Sequence, residues 1–227
     1  MSTFWLKMIA IITMAIDHIG AILFPQYIIL RMIGRIAFPI FAFLLVEGMA
    51  RTKSLEKYIG RMLIFAVISE LPFDLAFWGK PIYSGHQNVM WTFSLVLAAV
   101  YLYRKLSPER KSGFAFWGIT LLFACVASYF RMDYGGWGVI WVMSFYYYRN
   151  EPVRKYGMAF FLLAGYGLLD TLLSGRFFWG QYIECCAALS FPALLLFNGK
   201  KGPALKYFFY AFYPVHLLLL WLCVQVL

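Results

Sequence analysis

The first residues that could do chemistry are an aspartate and a histidine, Asp17 and His18, inside the apolar stretch MAIDHIG. Adjacent residues on a helix point about 100° apart, so both side chains can line one wall of a cavity. A histidine accepts protons near neutral pH, and a neighbouring carboxylate can hold its ring in one tautomer. We therefore predict that His18 is a general base oriented by Asp17. A hydrogen-bonded pair that only joins helices is the alternative.

Two arginines, Arg31 and Arg35, follow four residues apart in the segment LRMIGRIAFPIF. The spacing puts both on one helix face, and the guanidinium of Arg35 can hold a carboxylate or an oxyanion that develops in a reaction. We expect Arg31 to extend to outer lipid headgroups, which is also the alternative for Arg35. Pro39 is expected to kink this helix.

Five polar residues further along the chain are predicted to bind substrate. Glu70 and Asp74 flank a proline at helical spacing, so they share a face and either pair with an arginine or take part in proton transfer. His86 and Asn88 lie in a polar connection and are predicted at the mouth of a cavity, with a plain hydrated loop as the alternative. Asp133 precedes two glycines, where a carboxylate can also cap a helix.

The last apolar segment contains Tyr213 and His216, the latter two helical turns inside the segment. A histidine at that depth needs a polar partner, which fits a catalytic residue and a hydrogen-bonded core residue equally well. The preceding loop, FNGKKG, contains Lys200 and Lys201 beside two glycines. Their donors suit phosphate groups, although basic loops are also typical of the cytoplasmic side of membrane proteins.

The environment of these residues follows from composition. The 227 residues are 63% hydrophobic and 13% charged, and the mean hydropathy of +0.73 indicates an integral membrane protein. Because lipid cannot satisfy open strands, we predict an all-α, polytopic bundle of about nine transmembrane helices in a single domain, residues 1–227. The apolar segments are about 4–25, 28–50, 58–78, 88–104, 113–130, 134–149, 156–173, 179–197 and 206–226.

Charge sets the predicted orientation. About three quarters of the lysines and arginines fall on one side of the alternating segments, which predicts a cytoplasmic N-terminus and explains the net charge of +10 without nucleic acid. Several carboxylates then share the outer half of the bilayer, where isolated charges are costly, and this predicts a polar cavity that opens outward. These acids are Asp17, Glu70, Asp74, Asp133, Asp170 and Glu184.

Cysteine spacing and the first segment exclude other classes of protein. The four cysteines lie in apolar stretches without a C-x-x-C pattern or a nearby histidine, so we predict neither a zinc site nor a disulfide framework, and no metal. The first apolar segment lacks a small-residue cleavage site and contains Asp17 and His18, so we expect it to remain in the mature protein.

Several of these stretches resemble the TraX family, membrane proteins that include the F-pilin N-acetylase of conjugation systems. The resemblance lies in LKMIAIITMAIDHIGAILFP, RMIGRIAFPIFAFLLVEGMARTKS, YIGRMLIFAVISELPFDLAF, MDYGGWGVI and FNGKKGPALKYFFYAFYPVHLLLL. The Asp-His of the family's first helix matches Asp17 and His18, its arginine in GRIAFPIF matches Arg35, and its terminal FYPVH matches Tyr213 and His216.

The resemblance implies an acetyltransferase of the bacterial cytoplasmic membrane that takes its acetyl group from acetyl-CoA and modifies a peptide amine or a sugar at the outer side. His18 would accept the proton of the acceptor, and Arg35 or Tyr213 would stabilise the oxyanion. The cytoplasmic basic residues that would hold the phosphates of the donor are Arg51, Lys53, Lys57, Arg61, Lys200 and Lys201.

The sequence is also compatible with two other functions. Intramembrane carboxylates and broken helices also build the ion pathways of proton-coupled transporters, although no inverted repeat is evident in the sequence. A non-catalytic membrane factor for pilus assembly, whose polar residues only tie helices together, is the third possibility.

Overall fold

The regular structure of the protein is helical throughout the part of the chain that the computed structural model describes, residues 1–107, 112–174, 179–203 and 205–226. The α-helices are α1 Thr3–Ile22, α2 Ile28–Gly34, α3 Ala37–Arg51, α4 Leu55–Trp78, α5 Val89–Leu106, α6 Gly113–Tyr129, α7 Gly135–Tyr147, α8 Pro152–Ser174, α9 Phe191–Leu195 and α10 Lys206–Val226, with a 3₁₀ helix at Trp179–Ser190. Strand-like pairing in this part of the chain is limited to an isolated bridge between Gln87 and Met132. The all-α prediction is thereby confirmed.

Within the described residues, four helical stretches are long and apolar enough to cross a membrane. They are Thr3–Ile22, Ile28–Arg51, Val89–Leu106 and Phe208–Val226. Each coincides with one of the segments predicted from hydropathy, and together they support a multi-pass membrane protein. Shorter apolar helices occupy Gly113–Tyr129 and Tyr182–Leu195, so the full set of nine crossings stays a prediction.

The second predicted segment, 28–50, is interrupted before its proline rather than at it. Helix α2 ends at Gly34, and the N–H of Ile36 donates to the carbonyl of Ile33 at 3.2 Å, a tighter turn than that of an α-helix. Pro39 lies in the first turn of α3, where its missing N–H costs no helical hydrogen bond. The break therefore falls at Arg35, the residue singled out for chemistry.

The predicted continuous helix 179–197 is instead a 3₁₀ helix followed by the short helix α9. Pro192 is the second residue of α9, and its missing N–H removes one bond that an uninterrupted α-helix would need at this point. The hydroxyl of Ser190 donates to the carbonyl of Ala187 at 2.6 Å at the junction. The 3₁₀ helix contributes an acidic side chain to the candidate site.

The chain divides into two units, the first formed by residues 1–44 and 150–227 and the second by residues 45–149. In the first unit α1 packs against α2 and α10, and the 3₁₀ helix packs against α2, α8 and α9. In the second unit α5 packs against α4, α6 and α7, and α6 packs against α7. The packing of α1 with α2 and α10 brings the predicted catalytic residues of the first unit together.

A close approach of α6 and α7 in the second unit depends on Gly136. A side-chain carbon at this position would lie 2.6 Å from the carbonyl oxygen of Ala124 and 2.7 Å from the hydroxyl oxygen of Ser128. Small residues at helix contacts let backbones pack closely in membranes, where van der Waals contact rather than hydrophobic burial drives association. Gly118 on α6, by contrast, faces open space.

We expect Gly136→Ala to lower the thermal unfolding midpoint of the purified protein in detergent, because α7 must move away from the carbonyl of Ala124. Gly118→Ala is the matched control and should leave the midpoint unchanged or raise it slightly, since alanine is about 1 kcal/mol better than glycine inside a helix. Circular dichroism at helical wavelengths gives both midpoints. Equal shifts in the two variants would contradict the packing argument.

Candidate active site

Three side chains, Arg31, Arg35 and Glu184, join Asp17 in a partly buried ion cluster of the first unit. The carboxylate accepts from Nη1 of Arg31 at 2.6 Å and from Nη2 of Arg35 at 2.8 and 2.9 Å. Nη1 of Arg35 also donates to Oε1 of Glu184 at 2.8 Å. Asp17 and Arg35 are nearly fully buried, whereas the side chains of Arg31 and Glu184 are 32% and 21% exposed, so the two acids and two arginines balance each other's charge in a partly buried cluster.

Two glycines allow α2 to lie directly on α1 beside this cluster. A side-chain carbon on Gly34 would overlap the carboxylate of Asp17, and one on Gly20 would lie 2.5 Å from Cβ of Leu30. The carboxylate occupies the space that a side chain at position 34 would take. This explains how a short helix of seven residues can present both arginines to one carboxylate of α1.

The two histidines of the first unit form a hydrogen-bonded pair whose rings lie side by side and nearly coplanar. Nδ1 of His18 on α1 lies 2.7 Å from Nε2 of His216 on α10, and the ring planes differ by 6°. Nδ1 of His216 lies 2.7 Å from the carbonyl oxygen of Phe212. The ring of Tyr213 stands at 63° to that of His18, with the centroids 6.2 Å apart.

The contacts of this pair assign the protons when both rings are neutral. A carbonyl oxygen only accepts, so Nδ1 of His216 carries hydrogen and donates to Phe212, which leaves the lone pair of His216 on Nε2. That lone pair accepts from Nδ1–H of His18. The lone pair of His18 is therefore on Nε2, the form in which an imidazole removes a proton.

Comparison with the predictions shows two differences around His18. Nδ1 of His18 meets His216, whereas the carboxylate of Asp17, expected to orient that ring, is held by the two arginines. Arg31, expected to reach headgroups, is a member of the ion cluster. Glu184, one of the six acids predicted to line an outward-facing cavity, joins the cluster through Arg35.

The predicted substrate-binding residues of the second unit form a separate polar group. Oε2 of Glu70 accepts from Nδ2 of Asn88 and, at 2.7 Å, from Nε1 of Trp91. Oδ2 of Asp74 accepts from the N–H of Tyr83 at 2.8 Å. Asn88 is also the N-cap residue of α5, because its side-chain oxygen accepts a hydrogen bond from the N–H of Met90. Trp91 and Tyr83 were not predicted here. The side chain of Asp170, expected to line the same cavity as these acids, lies outside the described residues.

His86 and Asp133 are brought together by the only bridge between extended segments in the described part of the chain. The N–H of Gln87 donates to the carbonyl of Arg131 and the N–H of Asp133 donates to the carbonyl of Gln87, at 3.0 and 2.9 Å. Nε2 of His86 then lies 3.5 Å from Oδ1 of Asp133. Asp133 does not cap α7 as expected, since Ser128 Oγ accepts the N–H of Gly136 instead.

The predicted phosphate-binding residues differ in how far other groups engage them. Arg51 pairs with Glu47 at 3.2 Å, and the guanidinium of Arg61 lies over the ring of Tyr58. Lys53 and Lys57 are exposed at the start of α4 in the second unit. Lys200 and Lys201 belong to the first unit. The lysines thus keep more of their donors available to an anion than the arginines do.

The loop that contains Lys200 and Lys201 is tied to the start of α1. The N–H groups of Thr3 and Phe4 donate to the carbonyls of Lys200 and Lys201 at 2.8 and 3.1 Å. The N-terminal amine donates to the carbonyl of Leu196. Both lysine side chains are exposed, so the loop holds its backbone against α1 and presents two ammonium groups outward.

Comparison with known proteins extends the resemblance over the whole chain. A sequence model of the family described as TraX protein matches residues 2–224. The probable fimbrial assembly protein FimC, serogroup H1, of Dichelobacter nodosus is 35% identical over 96% of this chain and 94% of its own length. The uncharacterized protein RP591 of Rickettsia prowazekii (strain Madrid E) is 42% identical over 29% of this chain and 25% of its own length. No solved structure matches this chain.

The contact with Asp133 raises the pKa of His86 above its ordinary value of 6.5, against the opposing effect of burial. A folded-state pKa above the unfolded one means that the pair stabilises the fold below pH 6.5 and loses this contribution as the pH rises through the raised pKa. Both side chains are about one third exposed, at 36% and 33%, so solvent screening limits the contribution to about 1 kcal/mol or less.

We expect Asp133→Asn to lower the titration midpoint of His86, because the hydrogen-bonding carboxylate is the main cause of the raised pKa. The chain has three histidines, so NMR of protein with isotope-labelled histidine resolves few signals, and His86→Gln assigns the one in question. Glu56→Gln on the same unit is the control and should leave the midpoint in place. A midpoint that Asp133→Asn does not move would show that the contact is not the cause.

Proposed function

We propose that this chain, which belongs to the TraX family, is an acyltransferase of the bacterial cytoplasmic membrane that moves an acetyl group from cytoplasmic acetyl-CoA to an acceptor at the outer side. The observation that carries the proposal is the hydrogen-bonded pair of His18 and His216, in which the lone pair of His18 lies on Nε2. The acceptor is an amine of a peptide N-terminus or a group on a sugar. The fimbrial assembly named for the Dichelobacter relative supports a surface or pilus protein as the acceptor.

His18 acts as the general base in this reaction. A protonated amine cannot attack, and a neutral amine that attacks a thioester carbonyl must lose a proton as the new bond forms. Nε2 of His18 takes that proton while Nδ1–H stays on His216, and the imidazolium returns the proton to the sulfur as the carbon–sulfur bond breaks. Donor and acceptor thus exchange one acetyl group and one proton, and His18 ends neutral.

His216 is a positioning residue for His18. The contact of Nδ1 with the carbonyl of Phe212 keeps Nε2 of His216 as an acceptor, which in turn keeps the hydrogen of His18 on Nδ1. In the other tautomer of His18 the hydrogen would be on Nε2. That nitrogen would then present an N–H group instead of a lone pair to the acceptor. The role resembles that of the third member of a catalytic triad, with an imidazole in place of a carboxylate.

We assign the stabilisation of the charge that develops on the carbonyl oxygen to Tyr213. The positive charge of Arg35 makes a smaller contribution. Both Nη atoms of Arg35 donate to carboxylates, so we assign it chiefly to holding the site in shape. Tyr213 is buried with its ring against both histidines, and its hydroxyl is the better hydrogen-bond donor for the oxyanion. A donor of this kind lowers the barrier by about 3–4 kcal/mol in enzymes where it has been removed.

The basic loop of the first unit suits the negatively charged end of the donor. Lys200 and Lys201 are exposed and lie at the N-terminal end of α1, as their backbone contacts with Thr3 and Phe4 show. His18 follows fifteen residues after Thr3 on the same helix, about 22 Å along its axis. Acetyl-CoA supplies an activated acetyl group on a long, flexible arm, so phosphates at the loop and chemistry deep in the membrane are compatible.

We expect His18→Ala to reduce acetyl transfer by about 10²–10⁴-fold, the usual contribution of a general base, with little change in acetyl-CoA binding. His216→Leu should also slow transfer strongly, because it removes the acceptor for Nδ1–H of His18. His216→Gln should recover part of the activity, since its amide oxygen can accept the same hydrogen bond. The measurement is transfer of radiolabelled acetyl from acetyl-CoA to peptides and glycans by purified protein in nanodiscs.

Thermal unfolding of each variant is the control for folding. A wild-type protein that transports a probe without covalent transfer would favour the transporter, and one that does neither would favour the assembly factor that the relative's name suggests. Equal activity of His216→Leu and His216→Gln would remove the positioning role of His216 while leaving His18 as the base.

We expect the double variant Lys200→Glu, Lys201→Glu to weaken acetyl-CoA binding, because two ammonium groups that face the donor phosphates become carboxylates. The effect should shrink as salt is raised, since exposed charges are screened. Lys80→Glu, in the connection between α4 and α5, is the matched control. Equilibrium binding of labelled acetyl-CoA provides the comparison, and unchanged affinity in the double variant would exclude both lysines from the donor site.

A further inference from the structure

Cationic and exposed apolar side chains follow one another along a single face of α4 in the second unit. Residues three or four apart on a helix are neighbours on its surface. Lys57 and Arg61 are spaced in this way, and Ile64 and Ile68 continue the same face over the next two turns. The apolar residues of this face, each 50% exposed or more, are Ile64, Val67, Ile68 and Leu71. The surface of α4 thus changes from charged to apolar within one helical turn.

Arg61 has a buried donor without an acceptor. Its Nε is buried and has no hydrogen-bond partner in the described part of the chain, and its guanidinium lies 5.5 Å from the centroid of the Tyr58 ring. A ring face attracts a cation, but it does not replace the hydrogen bonds that a guanidinium loses when water is excluded. Lys57 is exposed, and the adjacent acid Glu56 accepts from the hydroxyl of Ser54. Arg61 therefore needs an acceptor that the described residues do not provide.

The neighbouring end of α3 carries more arginines than acids. A side-chain carbon on Gly48 would lie 2.9 Å from the hydroxyl oxygen of Tyr58, so this tyrosine packs on the last turn of α3. In that turn a single carboxylate, that of Glu47, accepts from Arg51 at 3.2 Å and from Arg149 at 3.1 Å. Two arginines on one acid leave an excess of positive charge, and the potential beside the first turns of α4 therefore favours an anion.

Tyrosines indicate that this end of the unit lies at the membrane interface. Nε of Arg104 donates to the hydroxyl of Tyr146 at 3.1 Å, and its Nη2 donates to the carbonyl of Met49 at 3.3 Å, so the ends of α5 and α7 meet the end of α3. Tyr58 of α4 contacts the same turn of α3. Tyrosine is enriched at the depth of lipid headgroups. We therefore expect the cations of α4 at headgroup depth and its exposed apolar residues among acyl chains.

We propose that this face of α4 is a binding site for an anionic phospholipid. Lys57 and Arg61 bind the phosphate, and a change of side-chain rotamer lets Nε–H and one Nη–H of Arg61 donate to it together. One acyl chain lies along residues 64–71, which extend about 10 Å along the helix axis.

A lipid also explains the apolar part of this face. The sequence assigned both cations to the phosphates of an acyl donor, but a soluble phosphate compound would leave the apolar residues uncovered. Basic sites at the ends of transmembrane helices bind the headgroups of anionic lipids in other membrane proteins. The site lies wholly in the second unit and goes beyond the proposed acyl transfer.

The test is native mass spectrometry of the full chain in detergent, titrated with dioleoyl phosphatidylglycerol or with dioleoyl phosphatidylcholine, which has the same chains but no net charge. We expect saturable binding of phosphatidylglycerol to the wild type, about tenfold tighter than binding of phosphatidylcholine. The double variant Lys57→Gln, Arg61→Gln should lose this preference. Lys105→Gln, an exposed cation in the last turn of α5, is the matched control and should bind as the wild type does. Equal affinity of the wild type for both lipids, or an equal loss in the control, would overturn the proposal.

Gly60→Phe tests the same site without a change of charge. Gly60 precedes Ile64 by four residues on the same face, and a side-chain carbon on it would meet no atom within 4 Å. A phenyl ring should therefore leave the thermal unfolding midpoint unchanged or slightly raised, yet weaken phosphatidylglycerol binding several fold because it covers the face. Unchanged affinity in this variant would show that the lipid does not bind there.

Coenzyme A separates the two sources of phosphate. It should not displace phosphatidylglycerol, because it has no acyl chain to cover the apolar residues of α4. Complete displacement by coenzyme A would identify a site for a soluble phosphate compound and overturn the proposal. His18→Ala should retain lipid binding, so the proposed acyl transfer can fail while this site stands.

Discussion

The pairing of buried Asp17 with Arg31 and Arg35 is the interaction on which the first unit depends. A lone carboxylate in an apolar helix of a membrane protein costs several kcal/mol, and removing one partner of a buried ion pair typically costs about 3–5 kcal/mol. Helix α2 is therefore held against α1 by charge as much as by packing, with Gly34 providing the space for the carboxylate. Helix α2 ends just before Arg35, and the guanidinium of this residue contacts both Asp17 and Glu184.

The ion cluster also determines what the neighbouring histidines can do. Because the arginines hold the carboxylate of Asp17, the ring of His18 finds its partner on α10 instead, in His216. An imidazole partner is neutral when it accepts and is itself fixed by the carbonyl of Phe212, so a chain of two hydrogen bonds sets the tautomer of His18. The tautomer of His18 is thus set by the contact between α1 and α10.

Two groups of acids among the described residues satisfy their carboxylate oxygens in different ways. In the first unit arginines neutralise Asp17 and Glu184, which makes that cluster part of the framework. In the second unit Glu70 and Asp74 receive only neutral donors and each keep one acceptor without a partner in the described residues.

Composition and hydropathy alone predicted the helical fold and four helical stretches long and apolar enough to cross a membrane, because lipid leaves the backbone few other ways to satisfy its hydrogen bonds. Local patterns likewise singled out Asp17, His18, Arg35 and His216 as candidate site residues, since a polar side chain in an apolar segment is conspicuous wherever it folds. Partner choice was not accessible in the same way. That Asp17 pairs with Arg31, that Glu184 joins Arg35 and that His18 meets His216 across 198 residues all depend on which helices touch. Hydropathy indicates that burying each of these polar groups is unfavourable. Only the packing of helices decides which other group pairs with it.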